Sequence, residues 1–193
     1  MNYRHPYRWL PSSIRGPVFL ILLLLALGLM VVLQVIDVPL RTSASPSGII
    51  SFELAGTSSA AERILQAWGT QGLAYAGLSL GLDYLFMFGY AGCIGLGCAI
   101  VAEGAGRGRA GIARSGIVLG WAMLLALLLD ATENLALIRI LIGSPPGMWP
   151  LVARWCAVPK FIIVAAGLMY VLVGLPLLWV LRGRGARGAI RGN

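Results

Sequence analysis

The chain has 193 residues, 59% of them hydrophobic and only 11% charged, and a formal charge of +8 at pH 7. A soluble domain is about 45–50% apolar and about 25% charged, so there is too little polar material here to cover a water-facing surface. Ordinary soluble enzymes are excluded, and so is a nucleic-acid partner, because the basic residues sit at the ends of apolar runs and not on a polar face.

The expected fold is all-α, a four-helix transmembrane bundle forming one membrane domain over residues 1–193. A bilayer core of about 30 Å needs roughly 20 apolar residues in a helix, since every backbone N–H and C=O must be paired inside the segment. Four runs satisfy this, at about 17–40, 74–102, 111–142 and 152–181. The first follows Arg4, Arg8 and Arg15 and precedes Ser43-Ala44-Ser45, as a secretory signal would. Its apolar stretch exceeds the roughly 7–15 residues of a signal core, which favours a retained span.

Between spans one and two lies an outer loop, 41–73. Ser45-Pro46-Ser47-Gly48 reads as a turn and Ile49 to Leu54 as a short extended piece. Ser59-Ala60-Ala61-Glu62 reads as a capping box opening a short interfacial helix, with Ile64, Leu65 and Trp68 on one face. Glu53 is the loop carboxylate without a local role, so it is an outer-loop site candidate against the simpler reading of a solvated charge.

The second span carries Gly77 and Gly81 in G-x-x-x-G spacing, with Gly89, Gly92, Gly95 and Gly97 beyond, which suits close helix approach. The linker 103–110 is rich in Gly and Arg, and the tail 182–193 repeats that composition without apolar periodicity. Arg4, Arg8 and Arg15, then Arg107, Arg109 and Arg114, then Arg182, Arg184, Arg187 and Arg191 fall on one side. Arg41 and Arg63, with Arg154 at a span edge and Arg139 toward the outer end of span three, fall on the other. The positive-inside rule then puts both termini in the cytoplasm.

Ionisable groups inside a span cost several kcal/mol unless paired or hydrated. Asp83 lies in span two, Asp130 and Glu133 with Asn134 in span three, and Lys160 in span four. Counting about 1.5 Å of rise per residue from the outer ends places Asp83 and Glu133 about 13 Å deep, Lys160 about 12 Å and Asp130 about 18 Å. Three helices of mixed direction thus bring their charges to one layer. Asp130, Glu133, Asn134 and Leu137 follow i, i+3, i+4, i+7 spacing on one stripe, and Ser79, Asp83 and Tyr90 form another, with Tyr84 about 100° away. Pro159 before Lys160 removes an N–H and predicts a kink in span four near that layer. The intramembrane site expected from sequence is therefore Asp83, Tyr84, Tyr90, Asp130, Glu133, Asn134 and Lys160.

Cys93, Cys98 and Cys156 lack C-x-x-C spacing and the single histidine is His5, so no metal centre, disulfide framework or cofactor is expected. Phe52-Glu53-Leu54-Ala55-Gly56-Thr57, Leu82-Asp83-Tyr84 with Tyr90, Asp130-Ala131-Thr132-Glu133-Asn134 and Lys160-Phe161 resemble a group of small four-span bacterial membrane proteins of unknown function. The resemblance runs from about Ile49 to Gly174, and it implies bacterial origin without supplying an activity.

Three functions fit this pattern. The first is binding or transport of a small zwitterionic or cationic solute, or of a lipid headgroup, at the acid and lysine layer. The second is a membrane enzyme acting on a lipid-linked substrate, with Glu133 or Asp130 as general base and Lys160 steadying negative charge. The third is a structural subunit that docks another protein through the outer loop, the polar layer being interhelical glue. The lipid bilayer is the partner that composition itself dictates.

Overall fold

The computed structural model describes residues 5–105, 109–145 and 147–190, with side chains described as far as Leu178. Arg4, Arg107 and Arg191 lie outside the described residues, as do the side chains of Arg182, Arg184 and Arg187. The described chain is helical, in the order α1 (Ser12–Asp37), α2 (Ile49–Glu53), α3 (Ser58–Gly104), α4 (Ala110–Leu141) and α5 (Trp149–Ile190). α1, α3, α4 and α5 are each long and apolar enough to cross a membrane, giving the four-span helical bundle that composition demands.

α3 is the central element, packing against α1, α4 and α5, while α1 packs mainly on α3. α1 accordingly leaves Leu20, Ile21, Leu24, Val31 and Val35 exposed, a surface suited to lipid. It ends where Pro39 prevents continuation, and the chain tightens into a 3-10 turn at Val38–Leu40.

The loop between α1 and α3 differs from the extended reading. Ile49 to Glu53 form α2, because the Asp37 carboxylate accepts the Ile49 N–H at 2.7 Å and caps that turn. An isolated extended segment would leave its backbone groups unpaired in this helical surrounding. The next helix begins two residues earlier than the Ser59 box implies: Thr57, in extended conformation, is the cap, and its Oγ1 accepts the Ala60 N–H at 3.3 Å. The expected interfacial helix is residues 58–68, separated from the span by Gly69 at φ 57° and ψ −170°, a conformation that glycine alone adopts easily.

Trp68 fastens this assembly. Its Nε1–H donates to the Leu40 carbonyl at 2.8 Å and to Ser45 Oγ at 2.9 Å, and its ring meets Phe52 edge-on with centroids 5.2 Å apart. Replacing Trp68 by Phe removes a donor inside a buried knot, at a cost of about 1–3 kcal/mol. The Trp68→Phe variant is expected to melt earlier in detergent, followed by circular dichroism. An unchanged midpoint would remove Trp68 from the loop's support.

The opposite end is closed by the N-terminal segment. Glu103 receives His5 Nε2 at 2.8 Å and pairs with Arg15, whose Nε also donates to the Leu10 carbonyl at 2.9 Å. Tyr7 reaches further, donating its hydroxyl to the Ala91 carbonyl at 3.3 Å. Gly95 makes room for it, since a Cβ there would collide with the Tyr7 ring. This glycine thus admits the N-terminal segment where the spacing suggested helix contact. At the other terminus the helix continues from the span through the basic segment to Ile190. Propagating an existing helix costs little, and Arg and Ala favour it. α5 is likewise continuous through Pro159 and Pro176.

Two apolar clusters fill the bundle. One, on the loop face, joins Leu40, Phe52, Ile64, Trp68, Leu80, Leu137 and Ile140. The other gathers Met87, Tyr90, Ile94, Cys98, Met123 and Val171. Asp83 on α3, Asp130 and Glu133 on α4 and Lys160 on α5 occupy the level between them.

Candidate functional site

The two carboxylates of α4 stand one turn apart on the same stripe, and Lys160 of α5 lies against both. Its Nζ donates to Asp130 Oδ1 at 2.9 Å and forms an ion pair with Glu133 Oε2 at 2.7 Å, outside hydrogen-bond geometry. Tyr90 of α3 donates its hydroxyl to Asp130 Oδ2 at 2.6 Å. Asp130, Glu133 and Lys160 are 1%, 0% and 6% exposed, so the group is shielded from bulk solvent and its charges answer one another.

Asn134 on the same face of α4 donates Nδ2 to Asp83 Oδ2 at 2.7 Å. The lysine therefore bridges α5 to α4, while the amide bridges α4 to α3. Tyr84 stands apart from these partners, its hydroxyl donating to the Ala131 carbonyl at 3.3 Å, where it ties α3 to α4.

Glu53 is the largest departure from the sequence reading. The simpler expectation, a solvated loop charge, is overturned by its 9% exposure, because α2 turns inward and delivers the side chain beside Glu133 and Lys160. Glu53 Oε2 and Glu133 Oε1 are buried without an N–H or O–H donor among the described residues. The two carboxyls are close enough to hydrogen bond to each other, which requires a proton on one of them.

Burial pushes the Glu53 carboxyl above its ordinary value of 4.5, and Asp130 and Asp37 push the same way. Lys160 and the hydrogen bond with Glu133 pull it down without cancelling that effect. The folded chain thus holds this proton more tightly than the unfolded chain, so the contribution to stability falls as pH rises above about 4.5. Glu53→Gln keeps a neutral group and removes the decline. Melting curves in detergent should show the variant gaining on the native chain as pH is raised. A gap independent of pH would refute this origin.

Beside these acids, between α1, α2 and α3, lies a cavity of about 280 Å³. Gln34, Asp37, Arg41, Glu53, Ser79 and Asp83 supply its polar wall, and Leu33, Ile49, Ile50 and Leu80 the apolar one. Asp37 is already engaged, accepting Arg41 Nε at 3.1 Å as well as the Ile49 amide. Arg41 also donates to Gln34 Oε1 at 3.1 Å. The acids left facing the cavity are Glu53 and Asp83. Among the described residues no three His, Cys, Asp or Glu side chains converge as a metal-holding group.

The sequence reading does not include Asp37, Gln34 and Arg41 among the site residues. The i, i+4 spacing of Asp37 and Arg41 was a readable signal of their pairing, whereas nothing local announced the capping of α2. No protein-family model, curated protein or solved structure matches this chain.

Proposed function

We propose that the chain is a multi-pass membrane protein that binds, and in the membrane carries, a small organic cation bearing an ammonium group. The observation behind this reading is the cavity that ends on Glu53 and Asp83, next to a buried group holding more acids than bases. Lys160 can offset one carboxylate, so a cation is the occupant that completes the balance. The size suits a small molecule, and the apolar wall suits a short hydrocarbon part.

Arg15 stands near the start of α1, at the opposite end of that helix from Leu33, Gln34 and Asp37, which line the cavity. The positive-inside rule supports a reading with both termini in the cytoplasm and the cavity opening outward, and the resemblance supports a bacterial inner membrane. The resemblance to small four-span bacterial membrane proteins belongs to the same reading.

An ammonium group arrives either on a free amine or on a lipid headgroup, and the test separates them. Purified protein is melted with alkylammonium salts in detergent, and in nanodiscs containing either phosphatidylethanolamine or phosphatidylglycerol. Stabilisation by a soluble amine supports a solute site, and stabilisation by the ethanolamine lipid alone supports a headgroup site. No shift in either arm would overturn the proposal.

A further inference from the structure

The acids of the polar layer differ in how fully they are answered. Both Asp130 oxygens are taken, by Lys160 and by Tyr90, and Asp83 Oδ2 is taken by Asn134. Glu133 Oε2 lies against Lys160. What remains is Glu133 Oε1 and Glu53 Oε2, both buried, on carboxyl groups that approach each other from α4 and α2. Two adjacent carboxylates repel, whereas a single proton between them turns the repulsion into a hydrogen bond and serves both orphaned oxygens. A second proton is not required, because Lys160 already balances one negative charge here. Glu53 is also a wall of the cavity, so whatever enters the cavity acts directly on this pair.

We infer that Glu53 and Glu133 hold one proton between them and that a cation seated in the cavity displaces it, so that binding exchanges an ammonium ion for a proton. The exchange half of this inference rests on the cation-binding reading above; the shared proton does not. In the step one carboxyl O–H bond breaks, its proton passes to water or buffer, and the positive charge of the bound cation takes its place beside Glu53. No electrons are transferred. The charged and titratable groups facing the pair are Asp37 from α1, Asp83 and Tyr90 from α3, Asp130 from α4 and Lys160 from α5, with Cys156 of α5 near Glu133. Of these, Lys160 alone is basic, so the surroundings favour a proton on the pair over two bare carboxylates.

The test is infrared difference spectroscopy on the full chain in detergent at neutral pH, with n-butylammonium chloride as the probe. A carbonyl band of a protonated carboxylic acid is expected, sensitive to deuterium, lost in Glu53→Gln and retained in Asp83→Asn. Absence of the band in the native chain, or its survival in Glu53→Gln, overturns the shared proton. Should Glu53→Gln fail to fold, deuterium sensitivity and loss of the band on adding butylammonium to the native chain decide the same point. In weakly buffered solution with an indicator dye, butylammonium should release about one proton per cation bound. Binding without release overturns the exchange and leaves the cation site standing. Absence of butylammonium binding overturns the exchange even where the infrared band is present.

Discussion

Lys160→Met should cost about 3–5 kcal/mol of stability, because it strands the buried Asp130 and Glu133 carboxylates without their cation. Methionine nearly preserves the shape of the lysine stem, so the loss reports charge and not a cavity. The penalty should shrink as pH is lowered, since protonating the acids removes what Lys160 was neutralising. Combining Lys160→Met with Asp130→Asn and Glu133→Gln should recover much of the loss, since a neutral set no longer needs the cation. Denaturant unfolding in mixed micelles across the single, double and triple variants measures this coupling. A Lys160→Met chain as stable as the native one would show that these distances carry no energy. A triple variant as weak as the single would show that packing, and not charge, is what Lys160 supplies.

The second large effect concerns affinity. If Glu53 and Asp83 meet an ammonium group in the cavity, removing either charge takes away one partner of a desolvated, charge-assisted contact. Such losses are about 2 kcal/mol or more, roughly 30-fold in Kd. Glu53→Gln and Asp83→Asn should each weaken alkylammonium binding by that factor in calorimetric titrations. Tyr84→Phe should change it less than about twofold, because the Tyr84 hydroxyl is spent on the Ala131 carbonyl and not on the cavity. Equal losses in all three variants would indicate a general loosening of α3 against α4. Unchanged affinity in both acid variants would place the cation elsewhere.

These tests separate the site from the glue that membrane bundles commonly contain. The Asp83 to Asn134 contact and the Tyr84 to Ala131 contact each join helices and can be understood as packing alone. Glu53 cannot be understood so simply. It comes from the loop, leaves an oxygen without a donor, and also borders the cavity. A carboxylate placed there for adhesion alone would be a costly choice, since an unpaired buried charge destabilises and a neutral side chain would pack as well.

The spans and their charged stripes were legible from sequence because the bilayer imposes a local rule. Each crossing segment must satisfy its own backbone and be apolar for its full length, so spans near 17–40, 111–142 and the others stand out residue by residue. Helical periodicity then fixes which residues share a stripe, as Asp130, Glu133 and Asn134 do on α4. Periodicity within one helix says nothing of its rotation against its neighbours. Hence the pairing of Lys160 with α4, the turning of Asn134 toward Asp83, and the separation of Tyr84 from that group were decided by tertiary packing.

The loop shows the same boundary more sharply. Its turn and its second helix carry local chemistry, but α2 depends on the Asp37 carboxylate twelve residues away and on Trp68 held to Leu40. The N-terminal segment is a parallel case, drawn inward by Glu103 from the far end of α3. Sequence alone determined a four-span helical membrane protein and which ionisable residues share a stripe on each helix, because both follow from the solvent and from spacing along a single helix. Whether Glu53 is a wetted loop charge or the partner of Glu133 was settled only when separate helices closed around it, since burial is a property of the whole packed chain.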